Sequence, residues 1–455
     1  MKASLYAALR CFLVVVVAFA GYASAATWKE QVLYSFQGPP NDGFVPAGGV
    51  VFDKAGNLYG ATTGGGSGCT PIGGECGLVF MLSPPAKKGD PWTETILYEF
   101  KGEVFKDASV PAGGVILDAA GNVYGTTAYG GTGGCILLGI TAGCGTVYEL
   151  SPPIKKGDPW TETILYSFQG GNDGYFPWGT LTFDDKRNLY GATQFGGGKG
   201  NTCNEFYGGN CGTVFELSPP KQKGKAWAEQ VLRSFGEPSD GAIPNGGLVF
   251  GREGSLYGAT QYGGNQGCAN QGVGVGCGTI FELSPGGKNG VWTEHLIHVF
   301  TGGVDGALPR GDLAMNTKGA LLGATGGGGS TQFGVVFKLT NGRRTWSESV
   351  LYTFMGQNDG RGPTSGVMLS RASGLYGAAF GGNEFGGIVY RLQIAPHGRH
   401  WLLSVVHNFT GSPDGAYPEA MVTFDRQGNL YGTTEAGGSG QSCSGGCGTV
   451  FKTSP

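Results

Sequence analysis

Apart from Cys11 near the start of the chain, the cysteines fall into five close pairs: Cys69/Cys76, Cys135/Cys144, Cys203/Cys211, Cys268/Cys277 and Cys443/Cys447. Paired thiols invite three chemistries. Zinc wants four ligands, and each of these loops offers two thiols and no histidine. A phosphate cradle needs Gly-Lys-Ser/Thr opening a helix, whereas "GNLYGATTGGGSGCTPIGGECGLVF" (56–80) has no lysine and runs into a strand-like segment. Disulfides fit best. The cysteine-bearing loops between "LYGAT" and "GTVF" segments run 13 to 18 residues, while two sister loops of 8 and 7 residues have none. Phe333 and Gly386 stand there in place of the second cysteine, so long loops carry a staple and short ones do not. Each bridge is worth on the order of 2–3 kcal/mol and requires an oxidising compartment.

Three other residue sets could do chemistry. Asp42, Asp107, Asp173, Asp240, Asp305, Asp359 and Asp414 open a turn, commonly Asp-Gly, once per repeat. Such a ring could hold calcium or a polar ligand, but Asp in these turns usually bonds its own backbone, and a ligand rarely needs every copy. No EF-type calcium loop is present. Tyr129, Phe195, Tyr262 and Phe380 stand beside paired glycines, and Phe206 and Tyr207 lie inside the third cysteine loop. Exposed rings there could stack on sugars, or pack over the ends of their own strands. The histidines offer little: His295 and His298, three apart on a strand, point to opposite faces. Neither HExxH nor GxSxG occurs, so no catalytic residue, cofactor or metal ligand set is assigned.

The elements that would position these residues come from an internal repeat. "WTETILYEF" at Trp92 recurs as "WTETILYSF" at Trp160, with related versions at Trp28, Trp227, Trp292, Trp346 and Trp401. The intervals are 64, 68, 67, 65, 54 and 55 residues. Each copy runs on through the Asp turn, a proline, a run like "GGVVFD", "GNLYGAT", the glycine-rich loop and "GTVFELSP". These runs are short, rich in β-branched and aromatic residues, and bounded by Gly, Pro, Asn and Asp. Period-two alternation puts Trp92, Glu94, Ile96, Tyr98 and Phe100 on one strand face. At the hairpin after Asp53, Gly56 and Asn57 are both suited to positive φ. Glu30, Glu94, Glu162, Glu229, Glu294 and Glu348, two residues after each Trp, read as partners of the next unit or of lysines. Four strands per unit, seven times over, predict an all-β, seven-bladed β-propeller of four antiparallel strands per blade, residues 26–455. The glycine-rich "GGVVFD" run would line the axis and the Trp strand the rim. Because the last copy stops after "GTVFKTSP", the N-terminal strand at Trp28 is expected to complete the C-terminal blade and close the ring. The Asp turns and cysteine loops then share one face, opposite links such as "SPPAKKGDPW" (83–92).

The strings "CGTVFELSP" (211–219) and "GNLYGTT" (428–434) resemble the bacterial GloVer tandem-repeat proteins, over essentially the whole mature chain. That resemblance implies an exported repeat protein and brings no catalytic residues. Its relatives carry varied C-terminal anchors, whereas this sequence ends at Pro455, so surface attachment is not expected. The N-terminus supports export on its own residues. Lys2 and Arg10 precede the apolar "CFLVVVVAFA" (11–20), and "ASA" (23–25) offers a cleavage site, giving a signal peptide over 1–25. The apolar run is too short for a membrane span. A formal net charge of −3 provides no basic field for nucleic acid. Glycine makes up 91 of 455 residues, but without a Gly-X-Y period. The expectation is a secreted or periplasmic monomer that binds polysaccharide or a cell-surface partner on its loop face. Alternatives are a glycan-cleaving lyase or hydrolase at the channel mouth, or a structural scaffold. An enzyme should show a non-repeated acidic or histidine cluster where the loops converge.

Overall fold

The computed structural model describes residues 28–455 apart from 47, 68–75, 103–105, 138–139, 199–210, 223, 237–238, 265–267, 269–275, 287–289, 343–344, 357, 372–373, 383–385, 397 and 399. Each blade is one antiparallel sheet built from the three inner strands of one repeat and the Trp strand that opens the next, and the seven sheets form a β-propeller. In the third blade the order from axis to rim is Thr182–Phe183, Leu189–Phe195, Thr213–Ser218 and Ala228–Ser234. The second and third strands are buried on both faces, because each blade is sandwiched between two others. A 3-10 turn, Arg252–Gly254, replaces the inner hairpin turn of the fourth blade.

Two repeated residues make the sheets possible. The glycine of "LYGAT" lies directly across from the aromatic residue of "GTVF", as in Gly191↔Phe215. The ring covers that glycine, and a Cβ there would stand 2.6 Å from the Phe215 ring. In five blades the Trp of the outer strand meets the Tyr of the preceding blade's "LYG" edge-on, as in Trp160–Tyr59 and Trp92–Tyr431. The apolar core therefore consists of clusters at the seams between blades. One of them joins Leu33, Phe36 and Val450 of the last blade to Val50, Leu58 and Phe80 of the first.

Closure occurs as the sequence predicts. Lys29–Ser35 pairs antiparallel with Thr449–Ser454, from Lys29↔Ser454 to Ser35↔Thr449, and is the outermost strand of the last blade.

Two local expectations are corrected. Strict alternation along the outer strand fails, because a bulge interrupts its ladder in every blade. In the first blade Phe80 pairs with Ile96 and Val79 with Tyr98, so the extra residue, Leu97, turns inward. Ile96 then packs in the seam on one side of the blade and Leu97 in the seam on the other. In the hairpin only Gly56 takes positive φ, at 91°. Asn57 instead donates its side-chain amide to Asp53 at 2.7 Å, while its backbone N–H donates to the same carboxylate at 2.9 Å.

One strained feature fixes how blades join. The residue before the inner-turn proline has left-handed backbone in every copy: Val45, Val110, Phe176, Ile243, Leu308, Gly362 and Tyr417. That twist points its N–H at the preceding blade, to the carbonyl of the second-cysteine position. Examples are Val110 to Cys76 at 2.9 Å, Ile243 to Cys211 at 2.8 Å and Gly362 to Phe333 at 2.7 Å.

Candidate functional site

The turn aspartates are directed into the seams rather than toward the axis. Asp42 accepts the backbone N–H of Gln37 at 2.7 Å and of Gly43 at 2.6 Å within its own turn. The Tyr34 hydroxyl lies between Asp42, at 3.0 Å, and Glu94 of the next blade, at 2.8 Å, and bridges the two carboxyls. Tyr98 links Asp107 to Glu162 in the same way. Tyr166 bonds Asp173 with Glu229 nearby, and Arg233 bridges Asp240 and Glu294 at 2.6 and 2.7 Å. His298 faces Asp305, Tyr352 donates to Asp359, and His407 bonds Asp414 at 3.1 Å. Asp42, Asp107, Asp240 and Asp305 are buried. Burial, followed by the adjacent aspartate, pushes the paired glutamates up: Glu94 and Glu229 to about 7, Glu162 and Glu294 to about 8. Each such pair retains a proton near neutrality. Ligand atoms of Glu30, His407 and Asp414 lie within 4.8 Å of one another, a spacing that could hold a metal ion. Sister seams fill the His407 position with a tyrosine hydroxyl, the Arg233 guanidinium or the His298 imidazole, so the group has a structural equivalent in every blade.

Three disulfides are complete among the described residues: Cys135–Cys144, Cys268–Cys277 and Cys443–Cys447. Cys76 and Cys211 are also disulfide-bonded; Cys69 and Cys203, like Phe206 and Tyr207, lie outside the described residues, as does the segment read as a signal peptide. The bridges pack under the glycine that begins each Asp turn. Sulfurs of Cys268 and Cys277 sit against Gly302, and in the cysteine-free fifth loop the Phe333 ring covers Gly356 instead.

The aromatic residues beside the glycine pairs sit at seams on the loop face. Tyr129 meets Phe176 of the next blade edge-on at 5.0 Å. Phe195 packs on Tyr175 and Phe176, and Phe176 stacks on Trp178 with centroids 5.4 Å apart and planes 4° from parallel. Five rings thus gather across the second and third blades, with Tyr129, Tyr175, Phe176 and Trp178 all half-buried. Tyr262 packs into the seams beside its own blade, and Phe380 contacts Tyr417 of the last blade at 6.4 Å.

Sequence reasoning missed the ring of residues that follows each inner-turn proline. The inner chain runs from the loop face toward the opposite hairpins, so this position stands just above the ring of backbone that closes on the axis. That ring is tight: a Cβ on Gly179 would stand 2.6 Å from Gly246, and one on Gly246 would meet Gly311. The position is held by Ala112, Trp178, Asn245, Arg310, Thr364 and Glu419, and the first copy has Ala47 in sequence, outside the described residues. Its neighbour on the second strand also varies, with Thr63, Ala128, Gln194, Gln261, Gly326 and Glu435 after "LYGAT"-type segments. The two positions act together. The Asn245 amide donates to Gln261 at 3.2 Å. Glu435 hydrogen-bonds Glu419 and is pushed up to about 8, by burial first and then by Glu419. Arg310 extends across Gly326, where a Cβ would stand 3.0 Å from Nε. The second blade offers only Ala112 and Ala128, both buried.

Below the mouth, the next axial position is glycine except at Thr180, Asp312 and Met421. Asp312 accepts from the Gly247 N–H and from the Thr180 hydroxyl, tying three blades together, and burial pushes its carboxyl up. Beside the mouth, a cavity of about 360 Å³ between the last and first blades is lined by Phe44, Val45, Tyr417, Glu435 and Cys443. No helix among the described residues is long and apolar enough to cross a membrane.

A sequence profile described as the Gloeobacter/Verrucomicrobia repeat matches residues 74–273 and 266–455. No curated protein matches the chain. Among solved structures, an ulvan lyase, a polysaccharide lyase bound to -[GlcA(1-4)Rha3S]-, is 9% identical with a TM-score of 0.51, covering 93% of this chain and 95% of its own. A PQQ-bound aldose sugar dehydrogenase from Streptomyces coelicolor is 12% identical at a TM-score of 0.40, covering 94% and 98%. A protein of unknown function from Dyadobacter fermentans is 11% identical at 0.44, covering 94% and 99%. At such identities the likeness to the lyase is one of fold.

Proposed function

The chain belongs to the Gloeobacter/Verrucomicrobia repeat family, and from that premise we propose an exported protein that binds polysaccharide at the loop-face mouth of its propeller. The observation that carries this reading is the five-ring cluster around the stacked Phe176–Trp178 pair. A sugar ring offers flat C–H faces, and a half-buried aromatic platform meets them at little entropic cost. The Asn245–Gln261 amide pair supplies donors and acceptors for hydroxyls. Asp312, Thr180 and Met421 form a floor beneath the mouth. Disulfides suit an oxidising compartment outside the cytoplasm.

A second reading, a glycan-cleaving enzyme, is favoured by the Glu419–Glu435 pair. It occurs once, not in every repeat, and two carboxyls sharing a proton suit general acid–base chemistry. One experiment separates the two. The purified chain is screened on a glycan array and incubated with the polysaccharides it retains. Retention without new reducing ends, weakened by Trp178→Ala without a change in melting temperature, supports binding. New chain ends that disappear in Glu435→Gln establish the enzyme instead. If nothing is retained and nothing is cleaved, both readings fail.

A further inference from the structure

We infer that the mouth selects acidic sugars, with Arg310 receiving the oxyanion, a uronate carboxylate or a sulfate ester, of a sugar seated beside Trp178. This inference rests on the saccharide reading above and deepens it. Its basis is an unmatched charge. Arg310 is half-buried, its Nε is shielded from solvent and without a hydrogen-bond partner, and no acidic residue pairs with it among the described residues. The other two half-buried arginines among the described residues also have an Nε without a partner, but their charges are engaged. Arg233 is held by two carboxylates, and Arg391 lies over the Tyr376 ring at 5.8 Å. A partly desolvated guanidinium without a counter-charge is unfavourable, and an oxyanion that accepts two of its N–H groups relieves it.

The place is built for that side chain. Arginine occurs at the post-proline position only in the fifth copy, and glycine at its second-strand neighbour only there as well, so Gly326 clears the path along which Arg310 lies. The nearest acid on its own strand, Asp312, is already taken by Gly247 and Thr180. The mouth's other acids, Glu419 and Glu435, bond each other two blades away. Asn245 and Gln261 on the fourth blade stand between Arg310 and Trp178 in the order of the ring. On the sixth blade the exposed Arg361, whose stem lies against Gly381, adds a second positive charge to the same side.

Affinity electrophoresis of the disulfide-intact chain through gels containing oligogalacturonate, a sulfated galactan or a neutral galactan tests this. At least one acidic gel should retard the protein more than the neutral gel, and added salt should weaken that effect. Arg310→Gln should reduce acidic binding about tenfold and leave neutral binding unchanged, while Arg310→Lys keeps part of it. Trp178→Ala should weaken acidic and neutral binding alike. The uronate and sulfate arms identify which oxyanion is read. Equal retardation by neutral and acidic gels, or acidic binding by Arg310→Gln at the wild-type level, overturns the charge selection and leaves the saccharide reading standing. If none of the three gels retards the folded protein, both fall. Melting curves of the variants confirm that each is folded.

Discussion

Val110 shows how much of this molecule rests on single backbone angles. Its φ is 61°, a region that β-branched residues avoid at roughly 1–2 kcal/mol. The conformation persists because its N–H reaches Cys76 in the preceding blade and the following Pro111 packs on Gly77. Glycine serves at the same position in the sixth copy, as Gly362. Val110→Gly is therefore expected to leave stability within about 1 kcal/mol of wild type, relief of strain offsetting added chain entropy. Gly212→Ala should do the reverse. Its φ is 99° and a Cβ would stand 2.7 Å from Pro244, so a loss of about 2–4 kcal/mol is expected in urea denaturation. The residues of the candidate site were only half legible beforehand. Tyr129 and Phe195 stood out because aromatics beside glycine pairs recur. Trp178, Arg310, Glu419 and Glu435 did not, because they are the positions where copies disagree, and a reading that aligns repeats discards disagreement. The signal was present as variation at a site whose flanks, proline and glycine, hardly change.

At the level of strands, the seams make a statement about pH. Glu30, Glu94, Glu162, Glu229, Glu294 and Glu348 are all pushed up to about 7 or 8 in the fold, burial being the larger cause for each. The native state thus holds protons that the unfolded chain releases near pH 4.5, so stability falls as pH rises from there through 7–8. His298, pushed down by burial, works in the opposite sense below its ordinary value. After discounting for solvent screening, about 1 kcal/mol per seam is lost, lowering the melting temperature by on the order of 5 °C between pH 5 and pH 8.5. Calorimetry across that range checks it. The sixth seam offers an independent measure, since Leu403 replaces the glutamate opposite Asp359. Leu403→Glu should be tolerated at pH 5 and destabilise at pH 8.5. Strand number, order and polarity were readable from composition and repeat. The bulge that buries Leu97 was not, because an inserted residue leaves the local hydrophobic pattern intact and changes only its pairing partner.

For the whole ring, the staples and the closure make separable contributions. The fifth and sixth loops have no cysteine, yet their blades pack like the others, so the bridges reinforce a ring that does not depend on them. Full reduction should lower the melting temperature while leaving the β-sheet circular dichroism unchanged at room temperature; loss of the spectrum on reduction would contradict this. Removal of residues 28–36 should be far more damaging, since it strips the last blade of its outer strand and opens the seam containing Phe36. The shared sheet also sets a schedule. Lys29–Ser35 leaves the ribosome about 400 residues before its partner, Thr449–Ser454. At ordinary elongation speeds the first strand waits on the order of tens of seconds with an unpaired edge. The ring therefore closes only once the last blade has been made, and the first strand must be kept apart from other chains until then.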